Sequence, residues 1–214
     1  ILSHNYLNNR NLKYRNNDDS SEDNLTLRLR STEQKTTLRF ENQTRLGAWT
    51  LKEGAELNNS IYTNHSRQRL YGSHSGTLSI YETSLNIFGW GAFFSSNYTT
   101  ADKRLALSAG IRMDGNTYNR KMRQLWKQFS PRLSASYKLS EQWTLSGSTG
   151  LYHQLPPYTA LGYKDNEEQY LNKNLKYMQV FESSLGVDWH LQDRFMVSAE
   201  GFFKRYSRMP LSLQ

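Results

Sequence analysis

Along most of this chain apolar and polar residues alternate with a period of two, the pattern of a strand whose two faces meet different surroundings. The stretch Arg104 to Asp114 is the cleanest case. Leu105, Leu107, Ala109, Ile111 and Met113 fall on one face, and Arg104, Ala106, Ser108, Gly110, Arg112 and Asp114 on the other. From Arg132 to Leu139 the apolar set is Leu133, Ala135, Tyr137 and Leu139. From Trp143 to Tyr152, Trp143, Leu145 and Leu151 oppose Thr144, Ser146, Ser148 and Tyr152. Leu185, Val187, Trp189 and Leu191 oppose Glu182, Ser184, Gly186 and Asp188. Phe195, Val197, Ala199 and Phe203 oppose Ser198, Glu200, Lys204 and Tyr206. Upstream, Leu38, Phe40 and Leu46 oppose Arg39, Glu41, Gln43 and Arg45, and Leu51, Ala55, Leu57 and Ile61 oppose Lys52, Gly54, Glu56 and Asn58; Glu53 interrupts that last apolar set. Between Leu85 and Tyr98 the faces blur, because Phe93 and Phe94 are adjacent.

The connections alternate in length. Gly47-Ala48-Trp49, Ala101-Asp102, Glu141-Gln142 and Gln192-Asp193 read as tight turns, and long polar stretches lie near 14–25, 63–82, 115–128 and 153–176. About nine strands result. The stretch 25–46 reads either as one long strand or as a hairpin turning near Thr32 to Lys35, because the apolar parity changes between Leu29 and Leu38. Short turns at one end and long loops at the other are the habit of outer-membrane barrels. The expected fold is therefore all-β, a meandering antiparallel transmembrane β-barrel wall.

Composition agrees. The hydrophobic fraction is 36% and the aromatic fraction 13%, with 14 Tyr. The mean hydropathy of -0.80 is compatible with a membrane wall, because only alternate residues of a barrel strand need be apolar. No apolar run reaches the roughly 18 residues of a transmembrane helix. There is no Cys, which removes disulfides and thiolate metal sites. The net charge of +8 raises nucleic-acid binding, yet the Lys and Arg are scattered rather than gathered on one element. No nucleic-acid partner is expected.

Gly150-Leu151-Tyr152-His153-Gln154-Leu155-Pro156-Pro157-Tyr158 resembles a strand-to-loop segment late in the barrel of TonB-dependent receptors. Tyr170-Leu171-Asn172-Lys173-Asn174-Leu175-Lys176, followed by a strand with Glu182 and Gly186, resembles the segment after it. Glu200-Gly201-Phe202-Phe203-Lys204-Arg205-Tyr206 resembles the next strand, and Leu105 to Asp114 an earlier one. The resemblance is dispersed over roughly residues 85–210. It implies a 22-stranded barrel with an N-terminal plug, uptake of a scarce nutrient across the outer membrane of a Gram-negative bacterium, and an energy-transducing TonB-type partner that pulls on the plug. This chain departs from that pattern. It shows no plug domain, no segment for the energy-transducing partner and no terminal aromatic residue, since Gln214 is last. No leader precedes Ile1. Residues 1–214 are thus expected to be a partial barrel domain whose true N-terminus lies upstream, contributing wall and ligand-facing loops. The rival readings are a non-transporting barrel (a porin or an adhesin) and a soluble β-sheet binding module.

Chemistry is sparse. His4, His65, His74, His153 and His190 are far apart, and no pair has the spacing of a metal site. Glu182, Asp188 and Glu200 suggest paired carboxylates, but each falls on a polar face beside Arg112, Arg132, Lys138 or Lys204, as in a charged lumen. No nucleophile motif or phosphate loop appears, so neither an enzyme nor a cofactor is expected. Trp90, Trp143, Trp189, Tyr137 and Phe195 suit an interfacial girdle against membrane lipid; a sandwich core would welcome them too. The basic loops, with Arg67, Arg69, Arg120, Lys121, Arg123 and Lys127, suit lipopolysaccharide phosphates, an anionic ligand or plain solvent. The remaining candidates are Tyr152, His153 and Tyr158, where prolines stiffen a long, tyrosine-rich loop. They would stand at the extracellular mouth and first hold the ligand, unless the loop is only packed onto its neighbours. Siderophore chelates, cobalamin, glycans and peptides are all open as ligands.

Overall fold

A computed structural model of the chain describes residues 1–70, 77–165, 167–191 and 195–210. Nine strands follow one another: β1 (Leu2–Tyr14), β2 (Leu25–Leu46), β3 (Trp49–Leu70), β4 (Thr77–Thr99), β5 (Leu105–Asn116), β6 (Ser130–Lys138), β7 (Trp143–Gln154), β8 (Met178–Leu191) and β9 (Phe195–Ser207). Among the described residues they form one sheet in the order β1 to β9, with β1 and β9 as its open edges. Every ladder with a defined register is antiparallel. This is the expected meander. No described helix is long and apolar enough to cross a membrane.

The chain divides into two compact units. The first comprises Ile1–Leu38, Asn58–Gly89 and Pro157–Lys173, and the second Arg39–Leu57, Trp90–Pro156 and Asn174–Gln214.

In the second unit the faces follow from register, because directly opposite residues of an antiparallel pair point the same way. Leu105 stands opposite Tyr137 and Ala109 opposite Leu133. Tyr137 stands opposite Leu145, Leu145 opposite Val187, and Gly147 opposite Leu185. Leu105, Leu107, Ile111, Leu133, Leu145, Leu185 and Val187 therefore share one face. The other face runs from Gly110 opposite Arg132 through Gly150 and Glu182 to Lys204. Arg112, Lys138 and Glu200 are in phase with it. No slip interrupts these ladders. The adjacent pair Phe93 and Phe94 is also resolved: Phe93 lies under the Arg39 guanidinium, 5.0 Å from ring centre to Cζ, and Phe94 is exposed on the opposite side. Tight turns join the strands. Asp102 accepts from Thr100 Oγ1 at 2.6 Å and from Arg104 N at 3.1 Å, and Ser140 Oγ accepts from Gln142 N and Trp143 N at 3.2 Å. Beside the turns, Trp49 meets Tyr98 and Trp143 stacks on Trp189.

In the first unit β1 and β2 pair in step from Leu2↔Leu38 to Lys13↔Leu27, with a register shift at Tyr14. The stretch 25–46 is thus one long strand rather than a hairpin. The expected long loop at 63–82 is corrected as well: β3 continues to Leu70 and β4 starts at Thr77. Strand beyond a bilayer has no lipid demanding an apolar face, so pairing continues where the alternation has faded. Residues 71–76 of that stretch, the turn at Gln192-Asp193 and Gln214 lie outside the described residues.

The face assignment has a direct test. Leu185→Arg should cost about 2–4 kcal/mol in a lipid-refolded chain, and Ser184→Arg, one residue away, under about 0.5 kcal/mol. Urea titration of the protein in vesicles measures both. The reverse order would show that the faces are exchanged, and equal costs that lipid singles out neither face.

Candidate functional site

The polar face of the second unit carries a continuous charged network. Arg112 grips Asp114 in the fork geometry, with Nε–Oδ2 at 2.9 Å and Nη2–Oδ1 at 2.7 Å. Its guanidinium also approaches Glu56 at 3.9 Å, and Arg39 reaches Glu56 at 3.7 Å and Glu41 at 3.1 Å. The sequence permits this approach locally: a Cβ at Gly91 would come within 2.6 Å of Asp114 Oδ1, and one at Gly54 within 2.6 Å of the Phe93 ring. Two guanidiniums and three carboxylates share the network. Such mutual neutralisation suits a wall that holds charge in place better than one that transfers protons. Farther along, Glu182 meets Lys204 at 3.2 Å.

Tyr152 and His153 belong to the same unit. The Arg132 guanidinium lies over the Tyr152 ring at 4.5 Å, with Gly150 leaving room between Arg132 and Glu182. His153 Nδ1 is 2.9 Å from Ser130 Oγ. The loop after β5 docks on the segment that precedes β8: Asn116 Nδ2 donates to Tyr177 Oη at 2.9 Å, Asn119 Nδ2 to Leu175 O at 2.7 Å, and Met122 is wholly buried. Its basic residues Arg120, Lys121, Arg123 and Lys127 point to solvent.

Tyr158 belongs to the first unit. It opens a single helical turn, Tyr158–Leu161, and stacks on Tyr62 with ring centres 5.6 Å apart. Leu161 is fully buried. Tyr81 Oη donates to Gly162 O at 2.6 Å, and Tyr170 Oη to Ser84 O at 2.7 Å. Burial pushes the Tyr81 pKa up, so its hydroxyl keeps its proton and remains a donor. The loop's tyrosines are thus used largely in docking the loop to β3 and β4. Among the described residues, Asn64 Oδ1 and Thr83 Oγ1 are buried without a hydrogen-bond partner. Sequence reasoning missed Asn64 and Tyr81 because it placed 63–82 in a loop, and with them Tyr62 and Thr83 at its two ends. It also missed the Arg39–Glu56 link, for which the glycines Gly54 and Gly91 were a local signal. Among the described residues no group of His, Asp and Glu is placed to hold a metal ion.

The TonB-dependent receptor-like β-barrel family matches residues 2–213. No curated protein matches the chain by sequence. Among solved structures it is similar to the copper transporter OprC, with 15% identity, TM-score 0.67, and coverage of 95% of this chain and 34% of that one. It is similar to the ferric enterobactin receptor PfeA of Pseudomonas aeruginosa, with 16% identity, TM-score 0.61, and coverage of 96% and 32%. It is also similar to the pyoverdine outer membrane receptor FpvA of Pseudomonas aeruginosa bound to pyoverdine, with 16% identity, TM-score 0.61, and coverage of 94% and 32%. These identities speak to fold, and the chain spans about a third of the length of each receptor.

Replacing Asn116 tests how the basic loop is held. Asn116→Ala removes a buried bond worth about 1–3 kcal/mol, so trypsin should cut after Arg120, Lys121 and Arg123 about tenfold faster, the cleavage following the open population. Unaltered cleavage would mean that the loop is ordered by other contacts.

Proposed function

The chain belongs to the TonB-dependent receptor-like β-barrel family, and we propose that it serves in the outer membrane of a Gram-negative bacterium as barrel wall and loops of a receptor that imports a scarce nutrient. The observation that carries this reading is the unbroken segregation of faces from β5 to β9. Leu133, Leu185, Phe195 and Val197 stand well exposed on one side, where lipid would cover them. Arg39, Glu41, Glu56, Arg112 and Asp114 stand on the other, where a porin would hold water and a receptor a plug. In such a receptor the TonB-type partner acts through the plug. The receptors similar in fold include carriers of a copper ion and of siderophore chelates, which makes a metal or its chelate the first cargo to try.

Within this reading Tyr152 stands on the cargo side of the wall, in phase with Gly150 and Glu182, His153 follows it near the end of β7, and Tyr158 opens the loop beyond. Tyr152 and His153 hold Arg132 and Ser130 in fixed geometry, and Tyr158 holds its loop to Tyr62. Their contribution to affinity is pre-organisation of the mouth as much as contact.

Uptake of labelled copper, ferric siderophores and cobalamin by cells with and without the gene tests the function. One cargo should enter only in the presence of the gene and only while the energy-transducing partner is active. Passive entry, unaffected by that partner, would make the protein a porin. With the cargo known, Tyr158→Ala and His153→Ala should weaken whole-cell binding about tenfold, or 1.4 kcal/mol, at normal surface expression. Unchanged affinity would leave the loop a structural cover.

A further inference from the structure

We propose that the apolar-side face of the β1–β2–β3 ribbon binds the phosphate-bearing headgroup of an outer-leaflet glycolipid through Arg10, Arg30 and Arg67; the inference rests on the outer-membrane placement proposed above. In the β1–β2 ladder Arg10 stands directly opposite Arg30, in phase with the pair Leu2 and Leu38. The two arginines therefore share the face of Leu38, which is 56% exposed. Thr32 Oγ1 meets Thr63 Oγ1 at 2.6 Å, which brings the odd positions of β3, Thr63, His65 and Arg67, to the same side.

Like charges directly opposite across strands destabilise a sheet. Several acids and acceptors nearby are already engaged: Glu22 by Arg28 at 2.6 Å, Glu82 by His65 at 2.6 Å, and the Asp23 carbonyl by Arg69 at 2.8 Å. Arg10, Arg30 and Arg67 are exposed and, among the described residues, have no acidic partner. An external anion relieves this arrangement, and a phosphate does so best, since a guanidinium holds it by two parallel bonds.

A cavity of about 380 Å³ adjoins Arg30. Arg30, Thr32, Thr63, His65 and Lys164 line it, together with Glu82 and Glu168. Hydroxyls and mixed charges suit a sugar that carries the phosphate better than a bare ion. The position suits a headgroup too. Arg30 precedes the end of β2 at Leu46 by 16 positions, whereas about 9–11 residues cross the hydrocarbon. The arginines thus lie past the acyl chains, on the side turned away from any cargo in the lumen.

The test uses the protein purified from outer membranes in a phosphate-free non-ionic detergent. Native mass spectrometry should find phosphorylated glycolipid retained by the wild type. The triple variant R10A/R30A/R67A should retain about tenfold less, and R10K/R30K/R67K an intermediate amount. Heat-modifiable gel migration reports folding, and single variants replace the triple should it fail to fold. Lipid A bisphosphate added back should bind, its dephosphorylated form should not, and excess inorganic phosphate should not displace it. Equal retention by the alanine variants, equal binding of the dephosphorylated lipid, or displacement by inorganic phosphate would each overturn the proposal. Recovery of the protein outside the outer membrane, read by fractionation beforehand, would instead defeat the placement on which it rests.

Discussion

Backbone pairing between successive strands is the constraint on which everything else here depends. In hydrocarbon every amide and carbonyl must find its partner within the protein, and a meander does this strand by strand. Pairing also fixes the direction of every side chain, because a slip of one residue would exchange the two faces. From β5 to β9 the register runs without a break. Hence residues distant in sequence, such as Leu107 and Leu185, come to one side through strand pairing.

That constraint explains what could be read from the sequence. Alternation is clear wherever one face must be apolar, so β5 to β9 and the lower parts of β2 and β3 were legible. It fades at the residues that need no apolar face. Thr63, His65 and Arg67 are paired strand, yet they carry the composition of a loop. The ambiguity at 25–46 has the same origin: β2 is continuous, and Leu27 and Leu29 belong to the opposite face from Leu38 and Phe40. Phe93 and Phe94 blurred the pattern because an aromatic ring can serve either face, as a platform for Arg39 on one side or as apolar surface on the other.

The candidate site was less legible, for a different reason. Individual charges such as Arg112, Arg132, Glu182 and Lys204 could be assigned to the polar face by parity alone. Their partners could not, because partners come from other strands: Glu56 of β3 meets Arg39 of β2 and Arg112 of β5. The tyrosines of the loop after β7 behave likewise. Composition marked them as contact residues, but whether they contact a ligand or their own scaffold depends on Tyr62 and Ser84, which nothing in the loop itself announces.

Charge placement also accounts for a feature that composition left unexplained, the net charge of +8. On the polar face of the second unit cations and carboxylates neutralise one another, as partly buried charge requires. The excess of positive charge is therefore found elsewhere, on the exposed loop around Arg120 to Lys127 and on the arginines of β1 to β3. Had the cations been set along one groove, their common field would have suited nucleic acid. Scattered over a solvated loop and the Leu38 face of β1 to β3, they instead suit short-range pairing with individual anions, where geometry decides more than net charge.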